Sequence, residues 1–216
     1  RFMQNPGPEH IQAAEHVLRY IFHHLDAGLT YHGSDEVLQT PYDHRNKLIM
    51  AFDADFSHVG CKACSGVVVM MNGAAIAWEV RRQTAASNNT AEAEVKSCSV
   101  GTEMALAMAD LHGEFTHRSH GCIRAIGDSQ GAEKQILHGL DSKASAPYKR
   151  SQAYCEDAVA RGLIWLDHVE GTFNPADVFT KPVPNIPEFM YKAGVVSGAK
   201  PKVYETAAMI AIKAGL

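Results

Sequence analysis

The dipeptide Asn72-Gly73 constrains the fold of this chain most strongly, because it lies between two apolar runs, 65–71 and 74–80. Asn-Gly accepts the positive backbone φ angles that a two-residue hairpin turn requires, so the two runs are expected to pair as antiparallel strands. A third apolar run, 48–54, precedes them. The sequence therefore predicts three antiparallel strands at the start of a sheet.

Helices and strands are expected to alternate after this hairpin. Apolar residues recur at helical spacing over 91–111, and two shorter helices are expected over 129–140 and 147–161. Apolar, strand-like runs follow at 122–127 and 163–169. The order βββαβααβ needs crossover helices, which join parallel neighbours. We therefore predict an α/β fold with a mixed five-stranded sheet flanked by helices, and ligands at the carboxyl ends of the parallel strands.

The 216 residues, 46% of them hydrophobic, suffice for one sizeable core with appendages. An amphipathic helix over 9–25, a short strand at 29–31 and a polar linker over 33–47 are expected before that core. We expect the helix to pack against another surface, and an Ala-rich stretch at 206–216 to form a short terminal helix. The predicted divisions are a connection segment at 1–46, a main domain at 47–184 and a C-terminal tail at 185–216.

Composition limits the class of protein. No apolar run reaches the roughly 18 residues that span a bilayer, so we expect an intracellular protein without a membrane partner. Because the chain begins with Arg, we expect it to be either a segment of a longer polyprotein or an artificially trimmed chain. The formal net charge of −4 has the wrong sign for binding nucleic acid through phosphate neutralisation alone. Divalent cations held by acidic residues would offset this charge.

Four acidic residues follow the predicted elements at informative places. Asp53 lies near the end of the first strand, Glu94 in the first turn of the long helix, Asp128 just after the fourth strand, and Asp177 after the fifth. Each acid alone is more often a helix cap, but their joint placement is uncommon. Four carboxylates at one site repel each other unless cations neutralise them, and two Mg²⁺ ions, or Mn²⁺ ions, take such oxygen ligands. This pattern favours two-metal hydrolysis of a phosphodiester.

Five short motifs occur in a characteristic order: Phe-Asp-Ala-Asp-Phe at 52–56, Ser-Gly-Val-Val-Val at 65–69, Ala-Glu-Ala-Glu-Val at 91–95, Gly-Asp-Ser-Gln at 127–130 and Ala-Asp-Val-Phe-Thr-Lys-Pro at 176–182. Together they resemble the ribonuclease H domain of copia-type retrotransposon polyproteins. Residues 1–31 resemble the segment that links the reverse transcriptase to that domain. The resemblance therefore covers most of the chain.

This resemblance implies a ribonuclease H-like fold, Mg²⁺ dependence, and hydrolysis of the RNA strand of RNA–DNA hybrids during reverse transcription. It also implies a partner, the reverse-transcriptase portion of the same polyprotein, and a place in a cytoplasmic virus-like particle or the nucleus. By similarity, Asp53, Asp128 and Asp177 are metal ligands and catalytic residues. The loop at 170–173 carries no histidine, unlike that of many cellular ribonucleases H, so we expect slow turnover.

The glutamate of the site has two candidates. The spacing from Ser87 to Glu92 is similar to that of cellular ribonucleases H, whereas Glu94 fits the copia pattern. Helical phase favours Glu94, because counting from Glu94 gives an apolar buried stripe and counting from Glu92 places Lys96 on it. We therefore predict Glu94 as the ligand, with Glu92 as the alternative.

The resemblance to hybrid-cleaving enzymes directs attention to polar and basic residues near the site. Candidates for reading the 2′-hydroxyls of RNA are Asn88, Asn89, Ser129 and Gln130, and candidates for phosphate contact are Arg81, Arg82 and Lys181. Two alternatives to an active ribonuclease H remain open. One is an inactive ribonuclease H-like tether of a retroelement polymerase, structural or nucleic-acid-binding. The other is a different nuclease of similar fold, such as an integrase or a resolvase.

Overall fold

A computed structural model of the chain describes residues 4–33, 47–56, 62–139 and 146–198. Five strands form one sheet in the order β3-β2-β1-β4-β5. The first three strands pair antiparallel, whereas β4 lies parallel to both β1 and β5. The strands are β1 (Ile49–Asp55), β2 (Cys64–Met71), β3 (Ala74–Arg82), β4 (Ile123–Gly127) and β5 (Ile164–His168).

The order βββαβααβ from β1 to β5 confirms the predicted fold class. The hairpin between β2 and β3 turns at Asn72 and Gly73, whose φ angles of 50° and 94° are those that this dipeptide accepts. The helices are α1 (Pro8–His23), α2 (Thr90–Thr116), α3 (Gln130–His138), α4 (Ala146–Ala160), α5 (Asp177–Thr180) and α6 (Ile186–Ser197), with a 3₁₀ turn at Gly171–Phe173. No helix in the described ranges is long and apolar enough to cross a membrane.

The two faces of the sheet bury different side chains, because successive residues of a strand point to opposite faces. Met50 and Phe52 of β1 pack in the larger core, which also contains buried residues of α2, α3 and α4. Ile49 and Ala51 lie in the second core, with Tyr191 of α6. Helices thus cover both faces of the sheet.

Helix α2 is longer than predicted. The helix predicted over 91–111 continues through Gly113 to Thr116. His117 then adopts the left-handed conformation at φ 55°, and its backbone N–H donates to the Gly113 carbonyl. The helix therefore ends where the backbone turns left-handed, and the glycine is tolerated inside it.

The predicted strand at 29–31 is not formed. Instead, irregular backbone crosses between two parts of the fold: Thr30 N–H donates to the Ser197 carbonyl at 2.7 Å, and His32 N–H to that of Asn72 at 2.8 Å. Such single hydrogen bonds to different elements satisfy the backbone without building a ladder. The predicted linker at 33–47 and the terminal helix at 206–216 lie largely or wholly outside the described residues.

Helix α1 forms over nearly the predicted range, but it buries none of its residues. Its apolar side chains Ile11, Val17, Leu18 and Ile21 are each more than half exposed. The described part of the chain therefore offers no surface that covers this stripe, and the predicted packing partner is not found within it. The predicted division into three segments stays a prediction.

Helix α6 lies in the predicted tail, over residues for which we had predicted no helix. Asn185 caps it by accepting a hydrogen bond from Glu188 N–H at 3.1 Å, and Gly198 ends it at φ 69°. These are standard start and stop signals. Its buried residues Tyr191 and Val195 pack on the second face of the sheet. This helix therefore extends the folded core beyond residue 184.

Gly66 lets α5 approach the sheet closely. It pairs with Asp53 across β1 and β2. A Cβ atom at position 66 would lie 2.6 Å from Thr180 Cγ2 and 2.8 Å from Phe179 Cβ, which is too close for real contacts. The missing side chain thus allows Thr180 to reach the Asp53 carboxylate.

We expect Gly66→Ala to lower the free energy of unfolding by about 1–3 kcal/mol, because α5 must move away from β2. Urea unfolding measures the difference. Gly28→Ala is the control, since a Cβ at position 28 meets no atom within 4 Å. Equal effects of the two substitutions would contradict this account of the α5 packing.

Candidate active site

Three of the four predicted carboxylates converge at the carboxyl ends of β1 and β4. Asp53, Glu94 and Asp128 each offer one oxygen, and these atoms lie within 4.8 Å of one another. Asp53 and Asp128 meet because β1 and β4 are parallel neighbours, and α2 packed across them presents Glu94. Among the described residues, this is the group of His, Cys, Asp and Glu side chains whose spacing could hold a metal ion.

The Glu94 carboxylate is buried and only partly satisfied. Its Oε1 accepts a hydrogen bond from the Ala54 N–H at 3.1 Å. Its Oε2 is buried and has no hydrogen-bond partner. A buried acceptor without a partner costs stability, so this oxygen is suited to an added ligand such as a metal ion.

Glu92, the alternative candidate, has a different environment. Its Oε1 lies 3.1 Å from Lys96 Nζ, and its Oε2 accepts from the Asn88 N–H at 2.9 Å. Our argument from helical phase assumed that Lys96 stays out of the buried stripe, and this was wrong: Lys96 is buried, because it pairs with Glu92 and donates to the Ala86 carbonyl. Position nevertheless distinguishes the two glutamates, since it is Glu94 that lies with Asp53 and Asp128. The role of Glu94 as a ligand stays a prediction.

Asp177 lies beside this group and is paired with lysines. Its Oδ1 lies 2.8 Å from Lys181 Nζ, and its Oδ2 lies 2.5 Å from Lys192 Nζ. Lys181 Nζ is also 3.7 Å from Asp53 Oδ1. Thr180 Oγ1 donates a hydrogen bond to the other oxygen of Asp53. The Lys181 ammonium thus connects the fourth acid to Asp53.

Sequence reasoning missed several residues that hold this site. Asn174 Nδ2 donates to the Phe52 carbonyl at 3.0 Å and fixes the loop before Asp177 against β1. Ser97 Oγ donates to the Asp53 carbonyl at 2.7 Å from the α2 side. Thr180 and Lys192 were missed as well. The sequence does show that Lys192 follows Glu188 at helical spacing, which predicts an ion pair between them. It gives no sign that Lys192 also contacts Asp177.

The electrostatics of the site favour a cation. Burial, followed by the charges of Asp53 and Asp128, raises the pKa of Glu94 to about 9. Burial also raises the pKa of Asp53 to about 6, although the Thr180 hydrogen bond and Lys181 oppose this. Burial alone would lower the pKa of Lys181, but its hydrogen bond to Asp177 and the nearby acids raise it overall. Without a metal ion, therefore, Glu94 is protonated at neutral pH, and an ion would allow it to ionise.

The predicted substrate-contact residues differ in their local roles. Asn89 and Ser129 cap α2 and α3, accepting from Glu92 N–H at 2.8 Å and from Ala132 N–H at 3.2 Å. The exposed candidates are Asn88, Asn89, Gln130, Arg81, Arg82 and Lys181, whereas Ser129 is half-buried. Arg81 pairs with Glu79 at 2.9 Å and lines a cleft of about 550 Å³. Contact with nucleic acid stays a prediction for all of these residues.

The loop at 170–173 approaches Asp128 closely. A Cβ at Gly171 would lie 3.0 Å from Asp128 Oδ2. A side chain at position 171 would therefore require the Asp128 carboxylate to shift slightly.

Neutralising Glu94 should stabilise the metal-free protein. The folded-state pKa of about 9 lies above the value of 4.5 in the unfolded chain, so the wild type loses stability as pH rises from 4.5 towards 9. Glu94→Gln escapes this loss. At pH 8 we expect the free energy of unfolding of this variant, measured in urea, to exceed that of the wild type by at least about 1 kcal/mol. At pH 5 the difference should be smaller.

Glu92→Gln is the matched control and should destabilise the protein, because it leaves the buried Lys96 ammonium without its carboxylate partner. A loss of stability in Glu94→Gln at pH 8 would contradict the electrostatic account.

Comparisons with known proteins agree with part of this account. No family model matches the chain. The retrovirus-related Pol polyprotein from transposon TNT 1-94 of Nicotiana tabacum is 28% identical over 189 residues, which cover 85% of this chain and 13% of that polyprotein. The chain thus spans only a small part of this relative.

Solved ribonuclease H structures are also similar. The N-terminal RNase H domain of a Mycobacterium tuberculosis protein is 17% identical at a TM-score of 0.47, covering 62% of this chain and 90% of its own. RNase H1 from Halobacterium salinarum is 21% identical at a TM-score of 0.45, and the match covers 62% of this chain and 94% of that protein. With TM-scores below 0.5, these superpositions carry no argument about function. The chain is therefore similar to one segment of a retrotransposon Pol polyprotein and has the mixed five-stranded sheet predicted from its sequence.

Proposed function

We propose that this chain is a metal-dependent ribonuclease H that hydrolyses the RNA strand of RNA–DNA hybrids within a copia-type retrotransposon polyprotein. The observation that carries the proposal is the convergence of Asp53, Glu94 and Asp128 at the ends of two parallel strands, with one buried Glu94 oxygen unpartnered. Similarity to a Pol polyprotein supports the same reading. An intracellular setting, in a virus-like particle or the nucleus, follows as part of this proposal.

The carboxylates would hold divalent ions, and their donor set is all oxygen, which suits Mg²⁺ or Mn²⁺. Asp53, Glu94 and Asp128 are the main ligands in this proposal, and Asp177 is the fourth. When bound, two such ions activate the attacking water and stabilise the leaving oxygen of the scissile phosphodiester. The chain itself fixes the carboxylates: Ser97 holds the backbone of Asp53, and Asn174 holds the loop that carries Asp177.

The hybrid would lie across the N-termini of α2 and α3. These two ends are close to each other: a Cβ at Gly131 would lie 3.3 Å from Ala91 Cβ. Polar side chains beside this junction can read 2′-hydroxyls in the wide minor groove, and they are Asn88, Asn89, Ser129 and Gln130. Phosphate contacts are proposed for Arg81, Arg82 and Lys181, which provide local positive charge despite the net charge of −4.

The reverse-transcriptase portion of the same polyprotein is the proposed protein partner. The exposed apolar stripe of α1 would pack against it, since this helix buries none of its residues within the described part of the chain.

One observation favours the alternative, an inactive structural or nucleic-acid-binding tether. Both oxygens of Asp177 face lysine ammonium groups, Lys181 and Lys192, so the fourth carboxylate is not free as it stands. Activity measurements distinguish the two functions.

The purified chain should cleave a labelled RNA–DNA hybrid in its RNA strand with Mg²⁺ or Mn²⁺, and should leave duplex DNA intact. Asp128→Asn should lower the cleavage rate at least ~100-fold, because removing the negative charge of a metal ligand raises the activation free energy by several kcal/mol. Glu94→Gln should have a similar effect, and Glu92→Gln a smaller one.

Asp110→Asn, an identical chemical change at an exposed position of α2, is the control and should leave the rate unchanged. If the folded chain cleaves no hybrid with either metal, the enzyme proposal fails and the tether is favoured.

A further inference from the structure

Lys181 occupies a central position between two of the acids. Its Nζ lies 2.8 Å from Asp177 Oδ1 and 3.7 Å from Asp53 Oδ1. A single ammonium group therefore bridges the two carboxylates. This is the position where the same two oxygens would share a divalent ion.

Lys192 contacts the other side of Asp177 but is differently held. Its side chain is fully buried, and its Nζ lies 2.5 Å from both Asp177 Oδ2 and Glu188 Oε1. Moving this ammonium would break its ion pairs with Asp177 and Glu188 and would disturb the buried face of α6. Lys192 is therefore a fixed partner of Asp177.

Lys181, in contrast, can leave its position when another cation replaces it. Its side chain is 42% exposed. It follows α5 directly, so rotation of its flexible stem carries the ammonium into water without disturbing either core. Its partners Asp53 and Asp177 are buried, so removing the ammonium costs stability unless another cation takes its place. The two lysines thus differ in mobility although both contact Asp177.

We propose that Lys181 is a displaceable cation that takes the place of a second divalent ion between Asp53 and Asp177. Like charges less than about 4 Å apart repel strongly, so the ammonium and a second ion exclude each other there. Asp53, Glu94 and Asp128 then bind a first ion without hindrance, whereas Asp177 becomes available only after Lys181 has moved away. Lys181 is a positioning residue in this scheme. Once displaced, its ammonium is free for the phosphate contact that the sequence predicts.

This inference deepens the proposed function and rests on it for the two-ion site. The test counts Mn²⁺ ions on the full chain by calorimetric titration, after metal removal and without nucleic acid. The wild type should bind one ion, with a second at least tenfold weaker. Lys181→Met, which keeps length but removes charge, should strengthen the second ion at least tenfold, and Lys181→Gln should act alike. Lys181→Arg should keep the second ion weak.

Lys134→Met is the matched control, because Lys134 is an exposed lysine of α3 and its removal changes net charge equally. It should leave both affinities unchanged. Circular dichroism confirms that each variant is folded.

Equal affinity for the second ion in the wild type and Lys181→Met would overturn the inference, as would a wild type that binds no ion. Hybrid cleavage plays no part in this titration. The chain could therefore bind the expected number of ions and yet cleave no hybrid. That result would contradict the proposed activity but support the role of Lys181.

Discussion

Burial of carboxylates at the ends of β1 and β4 is the constraint on which the rest of this structure depends. Asp53 and Glu94 are 2% and 3% exposed, and burial raises the pKa of each. Such groups cost stability unless hydrogen bonds or cations compensate them. The surrounding chain supplies part of that compensation through Ala54 N–H and the Thr180 hydroxyl. The unpartnered Glu94 oxygen shows that these hydrogen bonds leave the compensation incomplete.

The second layer of the fold, α5 and α6, is part of the site as well as a cover for the sheet. Asp53 continues the face of β1 that also bears Ile49 and Ala51, and this face lies under these helices. Gly66 allows α5 to come close enough for Thr180 to reach Asp53, and α6 brings the buried Lys192 to Asp177. The position of the fourth acid therefore depends on residues beyond the predicted end of the main domain.

Much of the sheet could be predicted because its signals are local. Asn72-Gly73 determined the hairpin, and apolar runs separated by helical periodicity determined the order of elements. The convergence of Asp53, Glu94 and Asp128 followed from that order. Helix α6 was missed although its cap at Asn185 and its stop at Gly198 are visible in the sequence. The ion pairs of Lys192 with Asp177 and of Lys96 with Glu92 could not be predicted. Whether a lysine is buried depends on its neighbours in the tertiary structure, and secondary-structure propensities contain no information on these.

The central claim is that the buried carboxylates form a site that a divalent ion completes. The most direct test is the thermal unfolding midpoint of the metal-free chain at pH 8, measured with and without millimolar Mg²⁺ or Mn²⁺. An ion that binds only the folded state must raise this midpoint. The account predicts a rise of several degrees in the wild type and a much smaller rise in Asp128→Asn. An unchanged midpoint in the wild type with both ions would contradict it.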